Sequence, residues 1–221
     1  MSFIQSGVWF ILAAGVLGAE PVKNPATAAG SDKVQVVIDQ VEKVCREGPV
    51  HMIGPKKAKR LAELVRRAKP RVVVECGAAL GYSGLWIARE LKAAGSGKLI
   101  TIELRPERAR QAEANLRRAG LEKFVNVKVG DARQVVKTLS GPIDFVFLDC
   151  GYSNYLPCLM VLEENLRPTA MVVADNAGIG ARGMADYLDY VRTKYKSRTE
   201  WFDLDLPWCK RDAMEITVIP R

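Results

Sequence analysis

Apolar runs without strict alternation recur along the chain, and segments with the 3.6-residue spacing of helices separate them. A continuous apolar run is typical of a strand that is covered on both faces of a sheet. The pattern therefore predicts an α/β fold with a mostly parallel seven-stranded sheet, helices on both faces and an antiparallel last strand over residues 214–219. Strands are expected near Val72, Leu99, Val125, Phe145, Met171, Glu200 and Ile216.

The first two predicted strands enclose a turn of small residues. Residues 77–81 read Gly-Ala-Ala-Leu-Gly, where minimal side chains let a ligand approach the backbone. The second strand ends in Glu103, a position from which a carboxylate can accept both hydroxyls of a ribose. This Rossmann-like unit predicts a ligand that contains a nucleoside. The alternative is an ordinary βαβ crossover that binds no ligand, with a tight turn and a solvent-exposed Glu103.

The spacing of the glycines distinguishes between nucleoside cofactors. A dinucleotide site uses G-x-G-x-x-G, whose second glycine admits a pyrophosphate to the helix N-terminus. Here Ala79 stands at the second glycine position, and the spacing is G-x-x-x-G. Because S-adenosylmethionine (SAM) has no phosphate to bind, the turn favours SAM. A nucleotide-dependent oxidoreductase on the same sheet stays open as the less favoured alternative.

Oxygen side chains follow two further predicted strands. Asp149 comes directly after the run 143–148, and Asp175 and Asn176 follow the run 170–174. The carboxyl ends of parallel strands share one edge of a sheet, so these side chains are expected to meet. Carboxylate and amide oxygens suit Mg²⁺ or Ca²⁺. The alternative is that each aspartate caps the following helix.

The pieces above match a known family in order and spacing. Over roughly residues 53–221 the chain resembles the catechol O-methyltransferase group of class I SAM-dependent methyltransferases. The resemblance rests on the sequences at 75–83, 101–103, 129–132, 147–149, 155–157, 162–164 and 174–176.

The resemblance implies a SAM-dependent and metal-dependent O-methyltransferase that acts on a catechol-type vicinal diol or a related small hydroxyl compound. Ser83 and the backbone near Ile53 would hold the SAM carboxylate, and Glu103 the ribose. Ala132 and Arg133 would flank the adenine. The full implied cofactor set is Ile53, Glu75, Gly77, Ala79, Tyr82, Ser83, Glu103, Ala132, Arg133 and Asp149. The implied ligands of Mg²⁺ or Ca²⁺ are Asp149, Asp175 and Asn176.

The chain departs from the family at the catalytic base. The family has a lysine three residues after the first metal aspartate, and this chain has Tyr152. Tyr152 either acts as the base or serves in substrate stacking or in packing. An unperturbed phenol is protonated at neutral pH, which disfavours the role of base. His51 is expected to be solvated, and Trp208 either closes the active-site mouth or packs in the core. The lost lysine keeps a non-catalytic SAM-binding or scaffold protein open as an alternative.

Charge and cysteine content add two expectations. The net charge is +8, but lysines and arginines are dispersed and do not interleave with aromatic residues, which disfavours nucleic acid as a partner. The basic run at residues 56–60 is expected to form a solvated helix face. Five cysteines without C-x-x-C spacing predict no zinc or disulfide framework, and Cys76 and Cys150 are interpreted as small apolar fillers.

The N-terminus has its own pattern. Residues 3–18 are almost wholly apolar, and a linker rich in Ala, Pro and Gly follows before a helix near 33–45. We therefore divide the chain into an N-terminal segment, 1–32, and a methyltransferase domain, 33–221. The apolar stretch is interpreted equally as a membrane anchor, a cleaved signal or a packing helix. A cytoplasmic catalytic domain is expected, because SAM is made inside cells and Lys23 and Lys33 follow the stretch.

Overall fold

A computed structural model describes residues 32–221. The anchor, signal and packing-helix interpretations of residues 3–18 fall outside the described residues, so they and the cytoplasmic location stay predictions. Among the helices of the described part, none is long and apolar enough to cross a membrane.

Within residues 32–221, seven strands form one sheet in the order β3-β2-β1-β4-β5-β7-β6. Their bounds are β1 Val72–Cys76, β2 Lys98–Glu103, β3 Val125–Val129, β4 Ile143–Leu148, β5 Leu166–Ala174, β6 Lys196–Asp203 and β7 Arg211–Val218. All neighbouring pairs are parallel except those of β7, which runs antiparallel to both β5 and β6. The predicted seven-stranded sheet with an antiparallel last strand is confirmed.

Helices cover both faces of the sheet. Their bounds are α1 Lys33–Glu47, α2 Pro55–Ala68, α3 Tyr82–Ala93, α4 Pro106–Arg118, α5 Ala132–Val135, α6 Tyr155–Leu162 and α7 Ala185–Lys194. Side chains alternate between two cores along each central strand, because successive residues of a strand point to opposite faces. In β4, Phe145 and Phe147 belong to the core under α1, α2 and α3, whereas Val146 and Leu148 belong to the core under α6 and α7. Burial on both faces explains why the central strands lack alternation in the sequence.

The strand order reverses at β1, which lies between β2 and β4. In open α/β sheets a ligand crevice forms at this switch point, outside the carboxyl ends of the strands. Backbone hydrogen bonds continue past the strand ends and fix the following loops. The Asp149 amide donates to the Cys76 carbonyl at 2.8 Å, and the Asp175 amide donates to the Leu148 carbonyl at 2.9 Å. Both aspartates are therefore held at the crevice by the sheet itself.

Candidate active site

A cavity of about 520 Å³ opens at the carboxyl ends of β1, β2, β4 and β5. This cavity brings together most of the residues that the sequence predicts for the site, although they follow different strands. The predicted site residues that line it are Gly77, Ala79, Glu103, Ala132, Arg133, Asp149, Tyr152, Asp175 and Asn176. His51 and Trp208 also line it.

The turn after β1 requires glycine at its first position. Gly77 has a φ of +105°, and a Cβ built there would lie 2.1 Å from the carbonyl oxygen of Asp149. Any side chain at Gly77 would collide with the loop that carries the first predicted metal ligand. Ala79 also adopts a left-handed conformation, with a φ of +47°. This conformation lets the Ala79 amide donate to Glu103 Oε2 at 2.8 Å.

Glu103 faces the cavity from the end of β2 and is only 6% exposed. Its Oε1 atom accepts from the Arg105 amide at 3.1 Å, so each carboxylate oxygen receives one backbone hydrogen bond. A carboxylate offers about four acceptor sites, which leaves capacity for two hydroxyl groups. The alternative of a solvated Glu103 is therefore wrong.

Glu75 lies behind the cavity wall and is fully buried. Burial raises the pKa of Glu75 to about 7, although the hydroxyls of Ser83 and Thr101 oppose the rise. Its Oε1 atom has no hydrogen-bond partner among the described residues. The Thr101 hydroxyl donates to Glu75 Oε2, Ser83 is also buried, and neither Glu75 nor Ser83 lines the cavity.

Tyr82 and Ile53, also predicted for the cofactor, lie behind the wall as well. The Tyr82 hydroxyl donates to Glu42 Oε2 at 2.9 Å, which ties α3 to α1. Ile53 is 3% exposed, while its neighbour Met52 lines the cavity. Their cofactor roles stay predictions, and the hydroxyl of Tyr82 is already engaged elsewhere.

The predicted metal ligands form one wall of the cavity. Asn176 has a φ of +59° and donates through Nδ2 to Asp212 Oδ2 at 3.0 Å, which leaves its amide oxygen available as a ligand. Burial and the negative charge of Asp175 raise the pKa of Asp149 well above its ordinary value. The positive charge of Lys57 acts in the opposite direction and lowers the pKa of Asp149.

Lys57 corrects the expectation of a solvated basic face on α2. Its side chain is 2% exposed, and Nζ donates to Asp175 Oδ1 and Oδ2 at 2.7 and 2.9 Å. Nζ also donates to Asp212 Oδ2 at 2.7 Å. The sequence held a signal for this burial, because Lys57 lies four residues before Leu61 and seven before Leu64, on the apolar face of the helix.

Asp212, on β7, is the second site residue that sequence reasoning missed. Burial would raise its pKa, but the charge and hydrogen bond of Lys57, with the amides of Ile179 and Ala213, hold the pKa below its usual range. The same carboxylates outweigh burial at Lys57 and raise the pKa of its ammonium. Burial raises the pKa of Asp175 despite the neighbouring Lys57.

The charges of this wall fit a divalent cation. In their ionised forms Asp149, Asp175 and Asp212 would carry two more negative charges than the ammonium of Lys57 balances, which agrees with the raised pKa of Asp149 and of Asp175. A bound Mg²⁺ or Ca²⁺ would balance that excess and lower the pKa of Asp149. The donor set of two carboxylates and one amide is also the oxygen-rich set that these ions prefer.

Tyr152 is 37% exposed and lines the same cavity. Its ring packs on the backbone of two glycines, because a Cβ at Gly180 or Gly183 would lie 2.5 or 2.7 Å from ring atoms. Burial and the charges of Asp212, Asp149 and Asp175 raise the pKa of Tyr152. The phenol is therefore protonated at neutral pH, which argues against a role as the base.

His51 and Trp208 form a stacked pair, with ring centroids 4.6 Å apart and an angle of 8° between the planes. Both line the cavity, and Trp208 also packs against the core under α1 to α3. Packing of Trp208 against the core is thus confirmed, and closure of the active-site mouth by Trp208 stays a prediction.

Comparison with known proteins decides the family. A methyltransferase domain family matches residues 74–177. Bovine catechol O-methyltransferase is 31% identical over 196 residues, which cover 86% of this chain and 70% of that protein. A probable O-methyltransferase of Mycobacterium tuberculosis is 31% identical over 205 residues, 86% of each chain. The chain belongs to the SAM-dependent O-methyltransferases.

Solved structures agree with this methyltransferase fold. An O-methyltransferase of Bacillus cereus in complex with SAH has a TM-score of 0.72 at 22% identity, covering 88% of this chain and 93% of that one. TomG of Streptomyces achromogenes, an O-methyltransferase in complex with SAM, has a TM-score of 0.73 at 22% identity, covering 87% and 92%. The family membership sets aside the oxidoreductase and the non-catalytic scaffold, and it makes SAM the cofactor and a small hydroxyl compound the acceptor.

Proposed function

We propose that this O-methyltransferase transfers the methyl group of SAM to one hydroxyl of a catechol-type vicinal diol, with the help of Mg²⁺ or Ca²⁺. The observation that carries the proposal is one cavity with Glu103 at one wall and Asp149, Asp175 and Asn176 at another. The relatives of this chain include proteins named catechol O-methyltransferase.

The cofactor side is assigned from the cavity lining. Glu103 has the free acceptor capacity to bind both ribose hydroxyls, since each of its oxygens uses only one bond on the backbone. Gly77 and Ala79 present main chain rather than bulky side chains to the methionine part of SAM. Ala132 and Arg133, at the start of α5, lie where the adenine would end.

The acceptor side is assigned from the charged wall. Asp149, Asp175 and Asn176 would hold the divalent ion, and Lys57 keeps the Asp175 carboxylate in place through two hydrogen bonds. When bound, such an ion supplies Lewis acidity that lowers the pKa of a neighbouring hydroxyl. Two adjacent hydroxyls suit such a site, because both can approach one ion.

Aromatic surfaces complete the acceptor side. The stacked His51 and Trp208 and the ring of Tyr152 give the cavity flat walls, which suit an aromatic acceptor. Tyr152 keeps its own proton, so the proton of the acceptor leaves to solvent through the open cavity. The chain acts mainly by positioning the acceptor oxygen in line with the sulfonium methyl for direct displacement.

The test is an assay with methyl-labelled SAM and a panel of catechols, phenols and other small hydroxyl compounds. Each compound is measured with excess Mg²⁺, with excess Ca²⁺ and with EDTA. We expect transfer to vicinal diols that requires a divalent ion. Equal methyl transfer in EDTA and in Mg²⁺ would contradict the proposed metal dependence. Transfer to isolated hydroxyls but not to vicinal diols would contradict the catechol assignment.

A further inference from the structure

Three cysteines from different parts of the fold meet in a cluster, and one of them, Cys150, lines the cavity. The thiol sulfurs of Cys76, Cys150 and Cys158 all lie within 4.8 Å of one another. Cys76 ends β1, Cys150 follows β4, and Cys158 lies in the first turn of α6. The interpretation of Cys76 and Cys150 as small apolar fillers agrees with their packing in the core under α6 and α7, and the fold in addition brings their thiols together with that of Cys158.

The backbone explains why the thiols converge. β1 and β4 are paired with Cys76 opposite Leu148, so Cys150 follows two residues beyond that pair. The hydrogen bond from the Asp149 amide to the Cys76 carbonyl fixes this register at the strand end. Cys158 comes from α6, whose buried residues pack on the same face of the sheet as Cys76. Each thiol is thus held by a regular element or by a loop anchored to one.

We propose that Cys76, Cys150 and Cys158 bind one thiophilic metal ion, such as Zn²⁺ or Cu⁺, through three sulfur ligands. Metal–sulfur bonds of about 2.3 Å place the sulfurs of such a site roughly 3.8–4.0 Å apart. The sulfur–sulfur distances are at most 4.8 Å, so each has to shorten by no more than about 1 Å to reach that spacing. Rotation of the cysteine side chains supplies this movement. Thiolates select Zn²⁺ and Cu⁺ over hard ions such as Mg²⁺.

Access and charge both suit an ion at this place. Cys76 and Cys158 are fully buried, whereas Cys150 lines the cavity, so an ion enters from the cavity and its open position faces the cavity. The carboxylate of Asp131, and next the thiols of Cys158 and Cys150, raise the pKa of Arg133, whose guanidinium offsets part of the thiolate charge.

The proposed site is separate in chemistry from the oxygen ligands at Asp149 and Asp175. Each thiol that coordinates the ion releases its proton to solvent, and no electron is transferred. Because Cys150 directly follows Asp149, the two sites would nevertheless share one loop. A thiophilic ion would therefore sit beside the predicted adenine residues Ala132 and Arg133.

The test is a titration of the reduced, chelator-treated protein with Cd²⁺ in excess Mg²⁺, followed by the ultraviolet charge-transfer absorption of sulfur–cadmium bonds. We expect one ion per chain for the unmodified protein and loss of the absorption in Cys76→Ser and Cys158→Ser. Cys45→Ser is the matched control, because Cys45 is buried like Cys158 but lies outside the cluster. Absence of the absorption, or its persistence in both cluster variants, would overturn the proposal.

A second measurement needs no variant and so does not depend on how the variants fold. Zn²⁺ added to the unmodified protein without SAM should protect Cys150 from alkylation, measured by mass spectrometry of peptides. Cys209, which is also partly exposed, should react at an unchanged rate. Equal alkylation of Cys150 with and without Zn²⁺ would contradict the site.

Discussion

Replacing Lys57 with methionine removes the ammonium that lies between Asp175 and Asp212. All three side chains are at most 2% exposed, and the three hydrogen bonds of Nζ span 2.7 to 2.9 Å. Removing one partner of a buried ion pair leaves uncompensated charge and costs about 3–5 kcal/mol. For a domain of this size we expect a fall in Tm of roughly 6–20 °C.

The loss of stability in Lys57→Met should depend on pH in a defined direction. The pKa of Asp212 is lowered in the folded chain, so its contribution to stability is present above the ordinary value of 3.8 and is lost as the pH falls through the lowered one. The pKa of Lys57 is raised, so its contribution is present below the ordinary value of 10.5 and is lost as the pH rises above it. The difference between the two proteins is therefore widest between these limits and should shrink in acid.

Thermal and urea unfolding at pH 7 and in acid measure this difference, and Lys56→Met is the matched control because Lys56 is exposed on the same helix. Mg²⁺ should raise the Tm of Lys57→Met more than that of the unmodified protein, since the excess negative charge is larger. A Lys57→Met protein within about 0.5 kcal/mol of the unmodified one would refute the buried ion pair.

Three further predictions concern the reaction. Glu103→Gln should weaken SAM binding in calorimetry by roughly 10- to 150-fold, since charged hydrogen bonds contribute about 1.5–3 kcal/mol, and unchanged affinity would remove the ribose assignment. Asp149→Ala and Asp175→Ala should abolish methyl transfer together with its response to Mg²⁺, whereas Asn176→Ala should lose less; full activity of either aspartate variant would contradict the metal assignment. Tyr152→Phe should keep most of kcat with an unchanged pH profile, because the phenol is already protonated, and Tyr152→Lys should raise kcat for catechols; an inactive Tyr152→Phe with intact SAM and metal binding would make Tyr152 catalytic.

Much of the fold was predictable because its signals are local. Continuous apolar runs identify the central strands, and Glu103, Asp149 and Asp175 stand at or directly after the ends of such runs. Since the ends of parallel strands share one edge, these side chains could be placed at one cavity without a structure.

Lys57 and Asp212 were missed because their roles depend on each other across the fold. The position of Lys57 on an apolar helix face was readable, but its burial is stabilised by the carboxylates of Asp175, directly after β5, and Asp212, on β7. The cysteine cluster was missed for the same reason, since its members come from three separate elements. Tyr82 lies within the recognised motif, and the sequence did not indicate that its hydroxyl donates to Glu42; its cofactor role stays a prediction.

The contact between the turn at Gly77 and the carbonyl of Asp149 has a consequence for protein engineering. Gly77 approaches the main chain of Asp149 closely, and the Asp149 amide donates to Cys76, at the end of the strand that precedes the turn. A change that displaces either loop would shift methyl donor and acceptor relative to each other, so both loops are poor targets for redesign. His51, Trp208 and Tyr152 line the same cavity with side chains, and varying them offers a route to new acceptors that leaves the donor geometry intact.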